Sequence, residues 1–258
     1  MTTAHIARRN QTDACTGPRT DIPAPRPRTG TFTAIHHLAP LELEAREAPA
    51  LPHRSTMHWP RKIFHMIGIG SVGLTLAFCN LPGLTALAIM AVIAVLVITP
   101  DVARFYIPAL NKKVNEDFRF IMRDYEASSV SGITWFLSGM VLVLAMVPPV
   151  IAGLAALLLA FGDPWASVFG VKFGRTKLFG SRKSVEGMLG GFGVCLIVSL
   201  LYFGLSGLVA PAMVLPAALL AAAAGAGVEA LTIKRLDDNF VIPVVSAPIL
   251  AGIVALLA

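Results

Sequence analysis

The sequence predicts an all-α fold: a polytopic membrane helix bundle of about seven transmembrane helices, preceded by a disordered N-terminal tail. Three observations carry this. Hydrophobic residues make up 55% of the 258 residues and charged ones only 14%, with a mean hydropathy of +0.72, far more apolar than a soluble domain. Apolar runs recur at the length needed to span a bilayer, about 20 residues each. The 21 Lys and Arg residues are confined to four places, 1–62, 101–129, 163–186 and 229–238.

Residues 1–57 are rich in Thr, Arg, Ala and Pro, and Pro18 to Arg28 holds too many prolines for a helix. They are expected to be a disordered cytoplasmic tail. No apolar signal-peptide core is present, and Arg8-Arg9 is a weak twin-arginine resemblance. A start at Met57 would leave a compact membrane domain, 58–258.

Seven spans follow, at roughly 63–80, 82–100, 130–147, 149–169, 187–209, 211–231 and 240–258, the first and third being short. The turns near Asn80-Leu81-Pro82, Pro148-Pro149 and Val209-Ala210-Pro211 carry no charge. Seven spans put the four basic places on one side, which the positive-inside rule makes cytoplasmic. The amino terminus is then inside and the carboxyl terminus outside, the membrane being the inner or plasma membrane if the source is bacterial. A pI near 9.5 describes a membrane-facing surface and an anionic-ligand site, not a nucleic-acid binder. Cys15, Cys79 and Cys195 share no metal-type spacing, so neither zinc nor a disulfide framework is expected.

The loop 101–129 balances Arg104, Lys112, Lys113, Arg119 and Arg123 with Asp101, Glu116, Asp117, Asp124 and Glu126. Within it, 112–122 is expected to form a surface helix with Val114, Phe118, Ile121 and Met122 on one side, either amphipathic on headgroups or a solvated connector.

Ionisable residues packed against membrane segments are functional candidates. Arg61, Lys62 and His65 open the first span, with His65 one turn from Arg61 on the same side. The bases also suit topology anchoring, and the histidine a packed core position. Asp163 ends an apolar run and is followed by Pro164, which would bend or end the helix and free carbonyls beside the acid. That acid could coordinate magnesium or accept a proton from an alcohol; the plainer alternative is a helix-end acid facing water. Gly170 and Gly174 bracket Lys172, and Arg175, Lys177, Arg182 and Lys183 follow. Glycines allow close backbone approach and the cations neutralise phosphate, though the spacing is not that of a Walker A loop. Ser184 and Glu186 either cap and complement the next helix or touch magnesium or nucleotide. Glu229 and Asp237-Asp238-Asn239 bring acids to the same face, where separated acidic groups near a basic loop suit a metal–phosphate site.

Taken in order, these residues resemble the polyprenol kinase family, which includes dolichol, phytol and farnesol kinases and CTP-dependent diacylglycerol kinases. Arg61-Lys62-x-x-His65 is similar to its opening motif and Asp101-x-x-Arg104 to its acid–arginine element. Glu126 through Gly132 and Gly139 resembles the third-span entry. Gly162-Asp163-x-x-Ala166-x-x-x-Gly170-x-x-x-Gly174 with Lys183-Ser184-x-Glu186-Gly187 resembles the central signature, and Glu229 with Asp238-Asn239 and Pro243 the closing element. The resemblance covers about 58–258.

It implies a magnesium-assisted phosphotransferase that moves the γ-phosphate of CTP to a membrane lipid alcohol (polyprenol, phytol-type isoprenoid or diacylglycerol). Asp163, Lys183 and His65 are then the catalytic candidates. Gly170, Lys172, Gly174, Arg175, Lys177, Lys183 and Ser184 would hold the nucleotide, with Arg61 and Lys62 closing the site. Asp163, Glu186 and Asp238 are the expected magnesium ligands. Trp165 stands where the family leads one to expect a small residue, and would narrow the lipid entrance. Phosphatidate cytidylyltransferase, making a CDP-lipid, is the alternative, but its Lys-Asp…His-Gly-Gly…Asp-Arg-x-Asp ending is missing. A transporter or scaffold predicts charges lining a path across the bilayer, whereas these cluster on one face.

Overall fold

Inside lipid a chain must satisfy its backbone hydrogen bonds within each crossing segment, so apolar runs of this length become helices. The computed structural model describes residues 57–122, 124–178, 183–231 and 236–258. The expected tail, 1–57, lies outside them but for Met57. Among the described residues the helices are α1 (Trp59–Phe78), α2 (Gly83–Ala103), α3 (Pro108–Asp117), α4 (Gly132–Met146), α5 (Pro149–Phe173), α6 (Val185–Ser206), α7 (Val214–Ala230) and α8 (Asp238–Leu257). Short 3-10 turns lie at Asp124–Ala127 and Pro211–Met213.

Each expected span falls on a helix. Five are long and apolar enough to cross a membrane: α2, α5, α6, α8, and α7 with its leading turn. The remaining two are α1, whose first turn carries Arg61 and Lys62, and α4, at 15 residues. The chain is an integral membrane protein.

Helix α5 is the hub. Every residue from Ile151 to Ala160 is buried, and α1, α4, α6, α7 and α8 all pack on it. Small residues allow this, since backbones in lipid associate by close van der Waals packing. A side chain on Gly153 would lie 2.7 Å from the Gly73 carbonyl, so α1 and α5 touch backbone to backbone there. Helix α2 is peripheral and leans on α4.

Two expectations needed correction. Pro164 neither ends nor interrupts α5, which runs on to Phe173; a proline deprives only the carbonyl one turn earlier. The surface helix is α3, starting at Pro108 and ending at Asp117 with no buried residue, while Phe118–Ile121 is a turn. Proline at the first helical position sets that start.

Polar contacts bring the charged helix ends together at one end of the bundle. Arg61 at the start of α1 pairs with Glu126 ahead of α4. Lys62 bonds Ser167 near the end of α5 at 2.8 Å. Asn239 at the start of α8 donates to the Gly132 carbonyl of α4 at 3.2 Å.

Candidate active site

The site begins with how the basic loop after α5 is folded. Thr176–Leu178 runs antiparallel to Lys183–Val185: Leu178 N–H donates to the Lys183 carbonyl and Val185 N–H to the Thr176 carbonyl, both at 2.9 Å. Ser184 sits buried at the base of this pairing and caps α6, its hydroxyl accepting from Gly187 N–H at 3.1 Å. Gly174 has no room for a side chain. A Cβ there would lie 2.2 Å from the Gly170 carbonyl and 2.7 Å from the Ser184 hydroxyl. Gly170 also faces that hydroxyl. Both glycines therefore pack around the cap. Glu186 holds the loop from the other side, its carboxylate accepting from Thr176 N–H at 3.1 and 3.3 Å. Lys172, Arg175 and Lys177 stay exposed along the loop, and the Lys172 ammonium lies 5.3 Å from the Phe173 ring centre.

This fold aims Lys183 inward. Its ammonium lies 3.1 Å from Asp238 Oδ2 and 3.4 Å from Glu229 Oε1, and it also donates to the Glu229 main-chain carbonyl. That carbonyl is at the C-terminal end of α7, where helices leave acceptors unsatisfied and favour a cation. Asp163 is close enough to act on Lys183 electrostatically, and it lines one narrow crevice together with Glu229 and Cys195. Burial by itself would lower the Lys183 pKa. The carboxylates of Glu229, Asp238 and Asp163 outweigh it and hold the pKa above the ordinary lysine value.

A second network flanks the first. Arg61 forms a two-pronged pair with Glu126, at 2.9 and 3.3 Å, and donates to the Ile121 carbonyl at 2.8 Å. Arg104 is only 1% exposed. It bonds Asp101 at 2.8 Å and the carbonyls of Glu126 and Ser129 at 2.7 and 2.6 Å. Asp101 in turn accepts from the Ser131 N–H and hydroxyl and from Thr134. Arg61, Asp101, Arg104 and Glu126 thus fasten the 104–131 loop to the bundle. His65 Nε2 lies 3.4 Å from the Leu159 carbonyl.

Of the sequence candidates, Asp163, Lys183 and Asp238 are brought together. Gly170, Gly174, Ser184 and Glu186 shape the loop that carries Lys183. Arg61 and His65 line a neighbouring cleft. Trp165 is outside that lining and packs edge-on against Trp59, ring centres 6.4 Å apart. Ser167 escaped notice in the sequence; its signal is the four-residue spacing from Asp163, which places both on one face of α5.

The chain is 33% identical over 199 residues to CTP-dependent diacylglycerol kinase 1 of Schizosaccharomyces pombe, covering 74% of this chain and 91% of that protein. It is 27% identical over 214 residues to CTP-dependent diacylglycerol kinase 1 of Eremothecium gossypii, covering 76% of this chain and 67% of that protein. No family model matches the chain, and no solved structure does. An alignment of that identity, spanning about three quarters of this chain and nearly the whole relative, places this chain in the CTP-dependent diacylglycerol kinase family.

Proposed function

We propose that residues 58–258 form a kinase domain that transfers the γ-phosphate of CTP to the hydroxyl of diacylglycerol or a similar membrane lipid alcohol. The observation that carries this reading is the convergence of Asp163, Glu229 and Asp238 on Lys183 beneath an exposed basic loop. Three carboxylates against one ammonium leave net negative charge, which a divalent cation would balance.

Magnesium fits this donor set. Among the described residues no three His, Cys, Asp or Glu side chains form a ready-made metal cage. Magnesium in phosphoryl-transfer sites rarely needs one, being held by one or two carboxylates together with substrate phosphates. Asp163 and Asp238 would hold it, with Glu229 nearby. Glu186, the third expected ligand, braces the loop at Thr176. When bound, the ion would neutralise charge on the transferring phosphoryl group.

The chain's own residues do the rest. Lys172, Arg175 and Lys177 meet the triphosphate from the loop, and Lys183 stands between it and the carboxylates. The alcohol oxygen attacks the γ-phosphorus, the bond to the β–γ bridging oxygen breaks, and CDP leaves. Asp163 accepts the hydroxyl proton. Such a reaction asks for positioning and charge neutralisation above all. The grouping of basic segments supports a cytoplasmic active site and amino terminus, with the carboxyl terminus across the membrane.

The test is purified full-length protein in lipid nanodiscs with γ-labelled CTP, magnesium and diacylglycerol. Label in phosphatidic acid is expected. Cytidine carried onto the lipid would replace this reading with a cytidylyltransferase, and unlabelled lipid across a panel of alcohols would overturn it.

A further inference from the structure

Helices α1 and α2 follow one another in sequence, yet they lean on different partners, α1 on α5 and α2 on α4. A cleft of about 240 Å³ opens between them, walled on its third side by α4. On α1 the lining residues are Arg61, Phe64, His65, Gly68, Ile69 and Val72, a single stripe at helical spacing. From Arg61 to Val72 the stripe runs for roughly 16 Å along the helix.

We propose that this cleft binds one hydrocarbon chain of the lipid alcohol, with the hydroxyl at its Arg61–Asn239 end. The inference rests on the kinase reading above and adds the place where the lipid lies. Three observations point to an amphiphile. The cleft is most polar at one end, where Arg61, Glu126, Ser131 and Asn239 meet. Beyond that its walls are hydrocarbon but for His65, whose Nε2 lies 3.4 Å from the Leu159 carbonyl, with Val72, Ile93, Val97, Phe136 and Leu137 facing the cleft. Its flank is open, since Phe64 and Ile93 on the rim are 48% and 42% exposed, and nothing lies within 4 Å of where a Gly68 side chain would start. A chain can therefore enter sideways from the bilayer.

The polar end also adjoins the phosphate site. Asn239 is next in sequence to Asp238, which binds Lys183. Lys62, next to Arg61, bonds the Pro164 carbonyl and the Ser167 hydroxyl, both in the stretch of α5 that follows Asp163. The volume has room for roughly eight water-sized groups, enough for a stretch of one chain. A second chain would remain in the bilayer.

Gly68→Leu tests the idea, because it fills open space without displacing a neighbour, and Ile93→Phe plugs the opposite wall. Activity is measured in nanodiscs with dioleoyl and dioctanoyl glycerol. Apparent lipid affinity is read separately by crosslinking a diacylglycerol that carries a diazirine in its acyl chain. Gly68→Leu is expected to raise the KM for the long-chain substrate about ten- to fiftyfold, as if two or three methylenes were refused burial. The KM for CTP and the thermal midpoint should stay near the parent's. The crosslink should map to α1, α2 or α4 facing the cleft. If the parent transfers phosphate but both variants leave lipid KM unchanged and the crosslink maps elsewhere, the cleft assignment is overturned while the kinase reading stands. If the parent transfers no phosphate yet the crosslink still maps to the cleft and is lost in Gly68→Leu, the kinase reading fails and the cleft remains a chain-binding site.

Discussion

Lys183→Met is the sharpest perturbation, because one ammonium ties together a junction of three helices and a loop. Its side chain is 20% exposed and that of Glu229 12%, while Asp238 is 40% exposed. Removing one partner of a fully buried ion pair costs about 3–5 kcal/mol, chiefly by stranding the other charge. Solvent screens Asp238 and weakens its share, so the low end of that range, about 3 kcal/mol, is expected. For a domain of this size that is a fall of roughly 6–12 °C in thermal midpoint. The double variant Lys183→Met/Glu229→Gln should recover about half of the fall, since the stranded charge is gone. The pH profile has a definite sign. The folded pKa of Lys183 is raised above its ordinary value, so its contribution is complete below the unfolded pKa of about 10.4 and fades as pH climbs through the folded value. The gap between parent and Lys183→Met, followed by tryptophan fluorescence in nanodiscs, should hold steady from about pH 7 to 9 and shrink above about pH 10.5. A variant melting within about 2 °C of the parent at pH 7.5 would refute the reasoning.

Asp163→Asn keeps the shape of the acid but cannot take a proton or balance a cation; we expect at least a thousandfold loss of kcat on the order of general-base plus charge effects, with little change in thermal midpoint. Ser184→Ala removes the α6 cap and should cost about 1 kcal/mol, seen as a small fall in midpoint together with a rise in KM for CTP as the loop loosens. Gly153→Ala forces a methyl to within 2.7 Å of the Gly73 carbonyl and should destabilise by about 1–3 kcal/mol, read by thermal denaturation. Arg104→Met strands Asp101 and two carbonyls around an almost fully buried guanidinium and should cost about 3–5 kcal/mol, a larger fall than any of these.

The positions of the helices were legible because hydropathy is a local property of the chain, and each apolar run became a helix. Their ends were less so. The apolar run of α5 ends near 169, but the helix continues to Phe173, where the Ser184 hydroxyl packs against Gly170 and Gly174. Partner identity was not legible at all. Lys172 is the first cation after Asp163 in sequence, yet Lys183, from beyond the loop, is close enough to interact with it electrostatically. Nothing in the sequence around Arg61 points to its partner Glu126, 65 residues away. A salt bridge that joins distant segments leaves no periodic trace in sequence, whereas a helix does.

The start of α8 shows how these two kinds of information meet. In the sequence Asp237, Asp238 and Asn239 are one polar run just before an apolar span. Asp237 is the cap, accepting from Asn239 N–H at 3.0 Å. Asp238 turns to Lys183 at the proposed phosphate site, and Asn239 turns to Gly132 at the mouth of the cleft. Consecutive residues on a helix project about 100° apart, so a single turn can face two sites at once only if it stands between them. Both sites therefore share one rigid element, and any movement of α8 that shifts Asp238 also shifts the polar end of the cleft. A transfer reaction between a water-soluble nucleotide and a lipid hydroxyl needs the two reactants held at a fixed separation, and under the proposed assignments a shared helix start would supply that.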